Sequence, residues 1–469
     1  MDFPIFHLDF IGNRMLIAIT AIVHVIINHP MAVGAIPMAT LLEWIAYRKK
    51  WFELDQLAYK ITFVFFVITT SLGAMTGVGI WFTTALVNPE AIGSLIRVFF
   101  WAWFSEWVVF FLEVVFIMVY YLTWKSWSGT KKRLHIGTGV FLSVFSWLTM
   151  AVITGILGFM MNTGKWVPFS HEWVPESSML TGFFNPLYAP QLIFRTAVAF
   201  LGAGLFFLFL IPFFKKLSAE VRGRAVRPIS LWVLAWLPVA IAGAIFYWHR
   251  IPVYMQANAP VALATQDFTK WYGAILWFLL GMAAIVPLAA LWGVVKPKKL
   301  PAVALIIPFL AVITLLGTFE RLREFVRKPW VIQGYLYANG LRVQDYDLFR
   351  EEGVLSRATW VRHHQVTEEN KLEAGGEVFM IACSRCHSVG GVNSVYTRFR
   401  KLFPVEKWDE EQLAAYMSTM HNIRIFMPPF PGSDAELKAL SAWLIANQHH
   451  AVRAEGGQTA LLPSAPVLN

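Results

Sequence analysis

Eight long apolar segments constrain this chain more than any other feature of its sequence. A helix needs about 20 mostly apolar residues to cross the hydrocarbon core of a bilayer. Of the 469 residues, 57% are apolar and only 14% are charged, which excludes an ordinary soluble protein with about 25% charged residues. The sequence predicts an all-α fold, a polytopic membrane bundle of about eight helices followed by a small soluble domain. The apolar segments lie near residues 12–45, 56–86, 95–124, 135–162, 190–214, 229–249, 271–295 and 301–320.

The positions of the basic residues predict the orientation of this bundle. Lys and Arg are enriched in the cytoplasmic loops of membrane proteins. Here they cluster in the first, third, fifth and seventh connections, near residues 48–50, 125–133, 215–227 and 296–299. Both ends of the bundle are therefore expected outside the cytoplasm. Because the net charge of +10 comes largely from such clusters, we expect no nucleic-acid partner.

The composition changes after Trp330 and predicts four regions. Residues 1–330 form the membrane domain and residues 331–365 a polar connector. Residues 366–450 are predicted to form a small soluble helical domain. The tail, residues 451–469, is rich in Gly, Pro and Ala and is expected to be flexible.

The two cysteines form the most specific motif, Cys383-Ser-Arg-Cys386-His387. A bare C-x-x-C also fits a redox pair or half of a zinc site, but C-x-x-C-H is the attachment signature of haem c. The thiols would form thioethers to one covalent haem, and His387 would ligate the iron. Met427 precedes a Pro-Pro loop and is the predicted sixth ligand. Over about 85 residues the region resembles a class I cytochrome c. Met417 and Met420 compete with Met427 for the role of sixth ligand, but they are expected to belong to the hydrophobic core.

Ionisable side chains inside the apolar segments are the second group of candidates, because they are costly in a bilayer and often functional. Glu106 and Glu113 are seven residues apart and so share one helix face. A single buried His more often makes an interhelical hydrogen bond, but several such groups beside a cytochrome favour haem binding and proton transfer. The candidates are Arg14, His24, His29, Glu106, Glu113, His135, Arg195, His249 and Arg250, with the polar Thr149 beside them.

Residues 10–335 resemble subunit I of the cytochrome bd oxidases. The resemblance rests on the order and spacing of short motifs. These are Arg14, Thr20-Ala21, His24, Pro30 and Gly34; Leu72-Gly73 and Thr76-Gly77; Phe110 to Glu113; His135 to Asn162; and Arg327-Lys328-Pro329-Trp330.

The resemblance implies specific roles. His24 would be an axial ligand at the oxygen-reducing haem site, and Glu106 a further haem ligand, although its spacing from Glu113 is one residue shorter than in the family. Glu113, His135 and Thr149 would deliver protons. Arg14, Arg195 and the segment 321–327, which contains Arg327, would stabilise haem propionates. The membrane haems would be haem b, haem d or both.

Several departures from the family accompany these matches. The low-spin haem b of the family is held by a His and a Met, and the corresponding positions here are Arg195 and Phe325. We therefore expect that haem to be absent or to be held by other ligands. The quinol-binding loop shrinks to about residues 250–270, so a quinol site is degraded, and the ninth family helix, which supplies a Glu ligand, is missing.

These features predict a respiratory haem protein of the bacterial inner membrane with its cytochrome domain on the periplasmic side. As a bd-like terminal oxidase subunit it would reduce dioxygen with electrons received through its own haem c. The alternatives are a membrane electron conduit between quinol or a partner enzyme and periplasmic cytochromes, without oxygen chemistry, and a structural subunit of a larger complex. The expected partners are lipid, a second membrane subunit, and a periplasmic electron carrier or redox enzyme.

Overall fold

The computed structural model describes residues 4–166, 179–404 and 408–455, so residues 456–469 of the predicted tail lie outside the described residues. Within the described part, eight helices are long and apolar enough to cross a membrane. This confirms the predicted bundle, and the chain is a multi-pass membrane protein. The helices are α1 (Asn13–Lys49), α2 (Phe52–Val87), α3 (Pro89–Thr123), α4 (Gly129–Met161), α5 (Tyr188–Phe213), α6 (Ala219–Arg250), α7 (Phe268–Val295) and α8 (Ala302–Val326).

Several helices extend beyond their apolar segments, and the extensions of α6 and α8 are polar. α6 begins about ten residues before the predicted segment, because the Ser218 hydroxyl caps its start by accepting a hydrogen bond from the Val221 amide. α8 continues for six residues past the prediction, and an ion pair between Glu320 and Arg323 joins successive turns. Hydrophobicity alone cannot mark such ends.

One turn of π-helix interrupts each of the first two helices. These turns span His29–Val33 in α1 and Thr69–Gly73 in α2. Turns of this kind are frequent at functional sites. Here they border His24 and Thr76, which make a contact described below.

α5 is the central helix of the bundle. Of its most apolar stretch, 67% is buried in the protein, against 11% for α3. α5 packs most extensively on α6 and also contacts α1 and α8. Small residues allow its close crossing with α1, where a Cβ at Gly34 would lie only 2.1 Å from the Ala199 carbonyl oxygen.

The C-terminal region is helical and has a hydrophobic core of its own. After a short antiparallel hairpin, β1 (Trp330–Ile332) and β2 (Leu336–Tyr337), five helices follow. Buried residues from the predicted connector, among them Tyr346, Phe349 and Leu355, share one hydrophobic cluster with residues of the soluble domain. The helices are α9 (Tyr346–Glu352), α10 (Lys371–Ala382), α11 (Val395–Leu402), α12 (Glu410–Ile423) and α13 (Asp434–Glu455).

The chain folds into two compact units. One contains the described parts of Met1–Thr20, Ile80–Ser94 and Arg327–Asn469. The other contains Ala21–Gly79 and Leu95–Val326. The first unit therefore joins the C-terminal region to one end each of α1, α2 and α3.

We predict that Gly34→Ala destabilises the bundle by about 1–3 kcal/mol, because the added methyl group must push the α1 and α5 backbones apart. Gly281→Ala in α7 is the matched control, since a Cβ there meets nothing within 4 Å. Thermal unfolding of the two purified variants measures the difference. Equal melting temperatures would contradict the close crossing.

Candidate functional site

The Cys-x-x-Cys-His motif forms a tight turn directly after α10. The amides of Cys386 and His387 both donate to the Cys383 carbonyl oxygen, at 3.0 and 2.9 Å. Both cysteines are free thiols. The turn thus holds two unbonded thiols and an imidazole within five residues, as covalent haem attachment requires.

The His387 ring has the protonation state that an iron ligand needs. Burial is the main cause that lowers the pKa of His387 to about 4, and the charges of Arg398 and Arg14 add to it. The ring is therefore neutral at pH 7. Its Nδ1–H donates to the Asn393 carbonyl oxygen at 3.2 Å, which leaves Nε2 with a free lone pair for the metal.

Arg14, predicted to stabilise haem propionates, also acts electrostatically on the cytochrome motif. Its charge is one of the two that lower the pKa of His387. Arg14 belongs to the first turn of α1, within the same compact unit as His387. Arg14 therefore contributes to the electrostatic environment of His387.

Met427 lies on the loop between α12 and α13. Its amide donates to the Arg424 carbonyl oxygen at 2.7 Å, and Pro428 and Pro429 follow it. Met427 is partly buried. Met417, by contrast, is only 4% exposed in the hydrophobic core, and Met420 packs against that core. Met427 thus lies on a loop outside that core, and it stays the predicted sixth ligand beside His387.

His24 in α1 is held by polar groups at both π-turns. Its Nδ1 lies 3.0 Å from the Thr76 hydroxyl of α2 and 2.8 Å from the Asn28 amide nitrogen. Gly77 leaves room for the ring, since a Cβ there would be 3.2 Å from His24 Cε1. These two contacts fix the plane of the imidazole ring. Sequence reasoning missed Asn28, although its position four residues after His24 places it on the same helix face.

Glu113 and Thr149 are brought together across α3 and α4. The Thr149 hydroxyl donates to Glu113 Oε2 at 3.3 Å. Glu106 is partly buried and lies two turns from Glu113 on α3. The two predicted proton-transfer groups thus form one hydrogen-bonded pair, and Glu106 shares the helix of that pair.

His135 is fully buried and bonded at both ring nitrogens. Nε2 lies 2.7 Å from the Tyr120 carbonyl oxygen, so Nε2 must carry a hydrogen. Nδ1 lies 2.5 Å from Glu43 Oε1, so one further proton is shared between the imidazole and the carboxylate. Lys132 Nζ, 2.8 Å from the same carboxylate oxygen, and the Tyr120 hydroxyl complete the cluster. Sequence reasoning missed Glu43, because it sits at the polar end of an apolar segment.

A buried ion network surrounds Arg195, the residue that replaces a low-spin haem ligand of the bd oxidase family. Arg195 of α5 donates to Glu320 of α8 at 2.9 Å, and both side chains are only 3% exposed. Arg195 also donates to His29 Nε2 at 2.9 Å, and Arg323 donates to the second Glu320 oxygen at 2.9 Å. Glu320 thus bridges two guanidinium groups, a role that the sequence did not reveal.

Arg327 follows directly after α8 and is 6% exposed. Its Nη1 donates to the Val331 carbonyl oxygen at 3.2 Å, which ties the residue after α8 to strand β1. Arg327 belongs to the compact unit of the C-terminal region, whereas His24 belongs to the other unit.

Comparison with known proteins agrees with this geometry in two separate parts of the chain. Residues 370–444 match the sequence profile of the family described as "Cytochrome C oxidase, cbb3-type, subunit III". This part of the C-terminal region is therefore similar to the cytochrome c domains of that family. No curated protein sequence matches the chain.

Among solved structures, the fold is similar to that of the bd oxidase from Geobacillus thermodenitrificans. The likeness covers 69% of this chain and 88% of that chain, with a TM-score of 0.59 and 16% sequence identity. The chain has a bd oxidase fold. The resemblance predicted from sequence, a bd oxidase subunit followed by a cytochrome c domain, is confirmed at the level of fold.

We predict that Met427→Ala removes the thioether from the haem c iron. The near-infrared charge-transfer band of the ferric protein should disappear, and the midpoint potential should fall, because thioether ligation raises it. Met420→Leu is the matched control and should retain both. An unchanged spectrum in Met427→Ala would exclude it as the ligand.

Proposed function

We propose that this chain is the haem-bearing subunit of a bd-like terminal oxidase that reduces dioxygen with electrons received through its own haem c. The bd oxidase fold and the cytochrome c domain support the coarser description, a respiratory haem membrane protein. The observation that carries the finer proposal is His24, held at Nδ1 by Thr76 and Asn28 inside that fold.

His24 would present Nε2 to a membrane haem, and Glu106 is the proposed second ligand. A haem bound there supplies the iron at which dioxygen is reduced. The task of the protein at this position is to fix the imidazole plane, which the Thr76 hydroxyl and Gly77 do from the neighbouring helix. We propose haem b, haem d or both for this site.

Protons for water formation would pass through His135 and Glu113. The His135–Glu43 pair already shares a proton, so it can accept or release one without leaving an isolated charge in the bilayer. Glu113 can exchange a proton with the Thr149 hydroxyl, which both donates and accepts. We propose that these two pairs are the loading and delivery ends of one route.

Electrons would enter at Cys383, Cys386, His387 and Met427 instead of from quinol. The Arg195–Glu320 pair joins α5 to α8 where the family holds its low-spin haem, and Arg is not an iron ligand. Phe325, in place of the second ligand, is 7% exposed. Both features support the absence of that haem and a single covalent haem c as its replacement.

The proposed setting follows from this chemistry. Haem c is attached outside the cytoplasm, so we propose the bacterial inner membrane with the cytochrome c domain on the periplasmic side. A periplasmic electron carrier or redox enzyme would reduce haem c, and a second membrane subunit would cover part of the exposed faces of α3 and α7. We propose that residues 1–330 form the membrane haem domain, residues 331–365 the connector and residues 366–450 the cytochrome c domain.

An electron conduit without oxygen chemistry is the second candidate. The Arg195–Glu320–Arg323 network favours it, because it fills a haem position of the fold with charge pairs. Reduced-minus-oxidised and carbon monoxide difference spectra separate the two. A CO-reactive high-spin haem beside the c-type band supports the oxidase, and a c-type band alone or with low-spin haem b supports the conduit.

We predict that His24→Ala abolishes both the CO-reactive signal and oxygen consumption, while the c-type band persists. His249→Ala, at the exposed end of α6, is the matched control and should retain both activities. Oxygen-electrode assays and CO spectra on the two purified proteins are the measurements. Full activity in His24→Ala would exclude the oxidase proposal as stated.

We also predict that the double variant Cys383→Ala/Cys386→Ala loses covalent haem and turnover with a reduced cytochrome donor. The remaining membrane haem should still be reduced by dithionite, because that small reductant does not need haem c. Haem-stained gels and donor-dependent oxygen consumption report the two effects. Undiminished turnover with the cytochrome donor would show that electrons enter elsewhere.

A further inference from the structure

The loop that follows the haem ligand His387 is bound by the segment before α1. Asp9 accepts hydrogen bonds from the amides of Val389 and Gly390, at 2.5 and 3.1 Å. The Val392 amide donates to the Phe10 carbonyl oxygen at 3.2 Å. Three hydrogen bonds therefore fix this loop to the N-terminal segment.

The backbones of this loop and of the N-terminal segment approach each other closely. A Cβ at Gly391 would lie 2.0 Å from the Asp9 carbonyl oxygen, so only glycine permits this approach. Burial alone would raise the pKa of Asp9, but hydrogen bonds from His7, Val389 and Gly390 outweigh it and lower the pKa. Asp9 is thus a carboxylate at neutral pH and accepts from both amides.

Arg385, inside the Cys-x-x-Cys-His motif itself, makes the second attachment. Its side chain is only 9% exposed, an unusual position for a residue that the motif leaves variable. Nε donates to the Val87 carbonyl oxygen at 3.2 Å, and Nη1 donates to the Asn339 carbonyl oxygen. Nη2 lies 3.7 Å from Glu90 Oε2.

Three of these partners lie at or beside the ends of membrane helices. Val87 is the last residue of α2, Glu90 lies in the first turn of α3, and Asp9 precedes α1 by four residues. All of them belong to the same compact unit as the haem c motif. The motif and the loop that follows it are therefore bound by segments that lead directly into α1, α2 and α3.

We propose that Arg385 and Asp9 are positioning residues that lock haem c onto the ends of α1, α2 and α3, so that it is a fixed relay and not a mobile tethered carrier. The relay role rests on the proposed function, but the docking does not. A haem held by these contacts keeps its orientation on the helix ends of its own compact unit, and a tethered mobile domain would not.

The chemistry of the lock requires arginine at position 385. A planar guanidinium with several fixed donors can reach Val87, Asn339 and Glu90 together, whereas an ammonium is a single point charge. Arg385→Lys should therefore keep the charge and the haem but lose the fixed geometry. This variant separates the lock from simple attraction to Glu90.

Electron paramagnetic resonance of ferric haem c in oriented membrane multilayers tests the lock, using the full-length protein. The wild type should show haem c signals that depend strongly on the angle of the membrane to the field. Asp9→Asn/Arg385→Gln should lose this dependence. The exposed pair Asp347–Arg350 supplies the matched control, Asp347→Asn/Arg350→Gln, which should keep it.

A kinetic measurement then links the lock to the function. Electron transfer from haem c to a membrane haem should slow by about tenfold or more in Arg385→Lys and in the double variant, at an unchanged haem c midpoint potential. A purely structural defect would shift the potential or lose haem, which haem-stained gels report.

Two results would overturn the lock, and neither depends on oxidase activity. Wild-type signals without orientation dependence would show that haem c is mobile. Full orientation dependence in Asp9→Asn/Arg385→Gln would show that other contacts hold it. If the wild-type haem c is oriented but no membrane haem accepts its electrons, the lock stands and the oxidase proposal fails.

Discussion

The pairing of Glu320 with two arginines shows the constraint on which the bundle depends, that a charge inside a bilayer must be compensated within the protein. Arg195 and Arg323 share the two oxygens of one carboxylate, and His29 accepts a further bond from Arg195. Removal of one partner from a buried pair costs about 3–5 kcal/mol. The network therefore fixes α1, α5 and α8 against each other, where loosely paired apolar helices would be free to slide in lipid.

The same constraint explains why the proposed proton-transfer groups occur in pairs. His135 Nδ1 and Glu43 Oε1 are hydrogen-bonded at 2.5 Å, so each polar group of the pair is satisfied by the other inside the bundle. Lys132 also pairs with Glu43, which lowers the energetic cost of burying the carboxylate. Such a pair stabilises the fold while idle and remains able to move a proton, which an isolated buried acid could do only at a high energetic cost.

Patterns that are local in sequence predicted most of the fold. Apolar length identified all eight spanning helices, and five consecutive residues identified the haem c motif. The partners of the candidate residues were harder to predict, because Glu43 and Glu320 act across helices and have no periodic signal of their own. The hairpin after Trp330 was also missed, since its two strands are three and two residues long and lie in a segment that looks polar.

The packing of the connector decides how an external donor must meet the proposed relay. A mobile carrier needs a linker that stays solvated, but Tyr346, Phe349 and Leu355 are buried in the same core as Phe379 of α10. Converting the connector into a solvated linker would expose these side chains to water, at a cost of roughly 1.5–3 kcal/mol for each large apolar group. In the proposed relay, a haem c held in this way would not travel to its donor. The donor would have to come to the cytochrome c domain, at a face away from the loop held by Asp9 and the side held by Arg385.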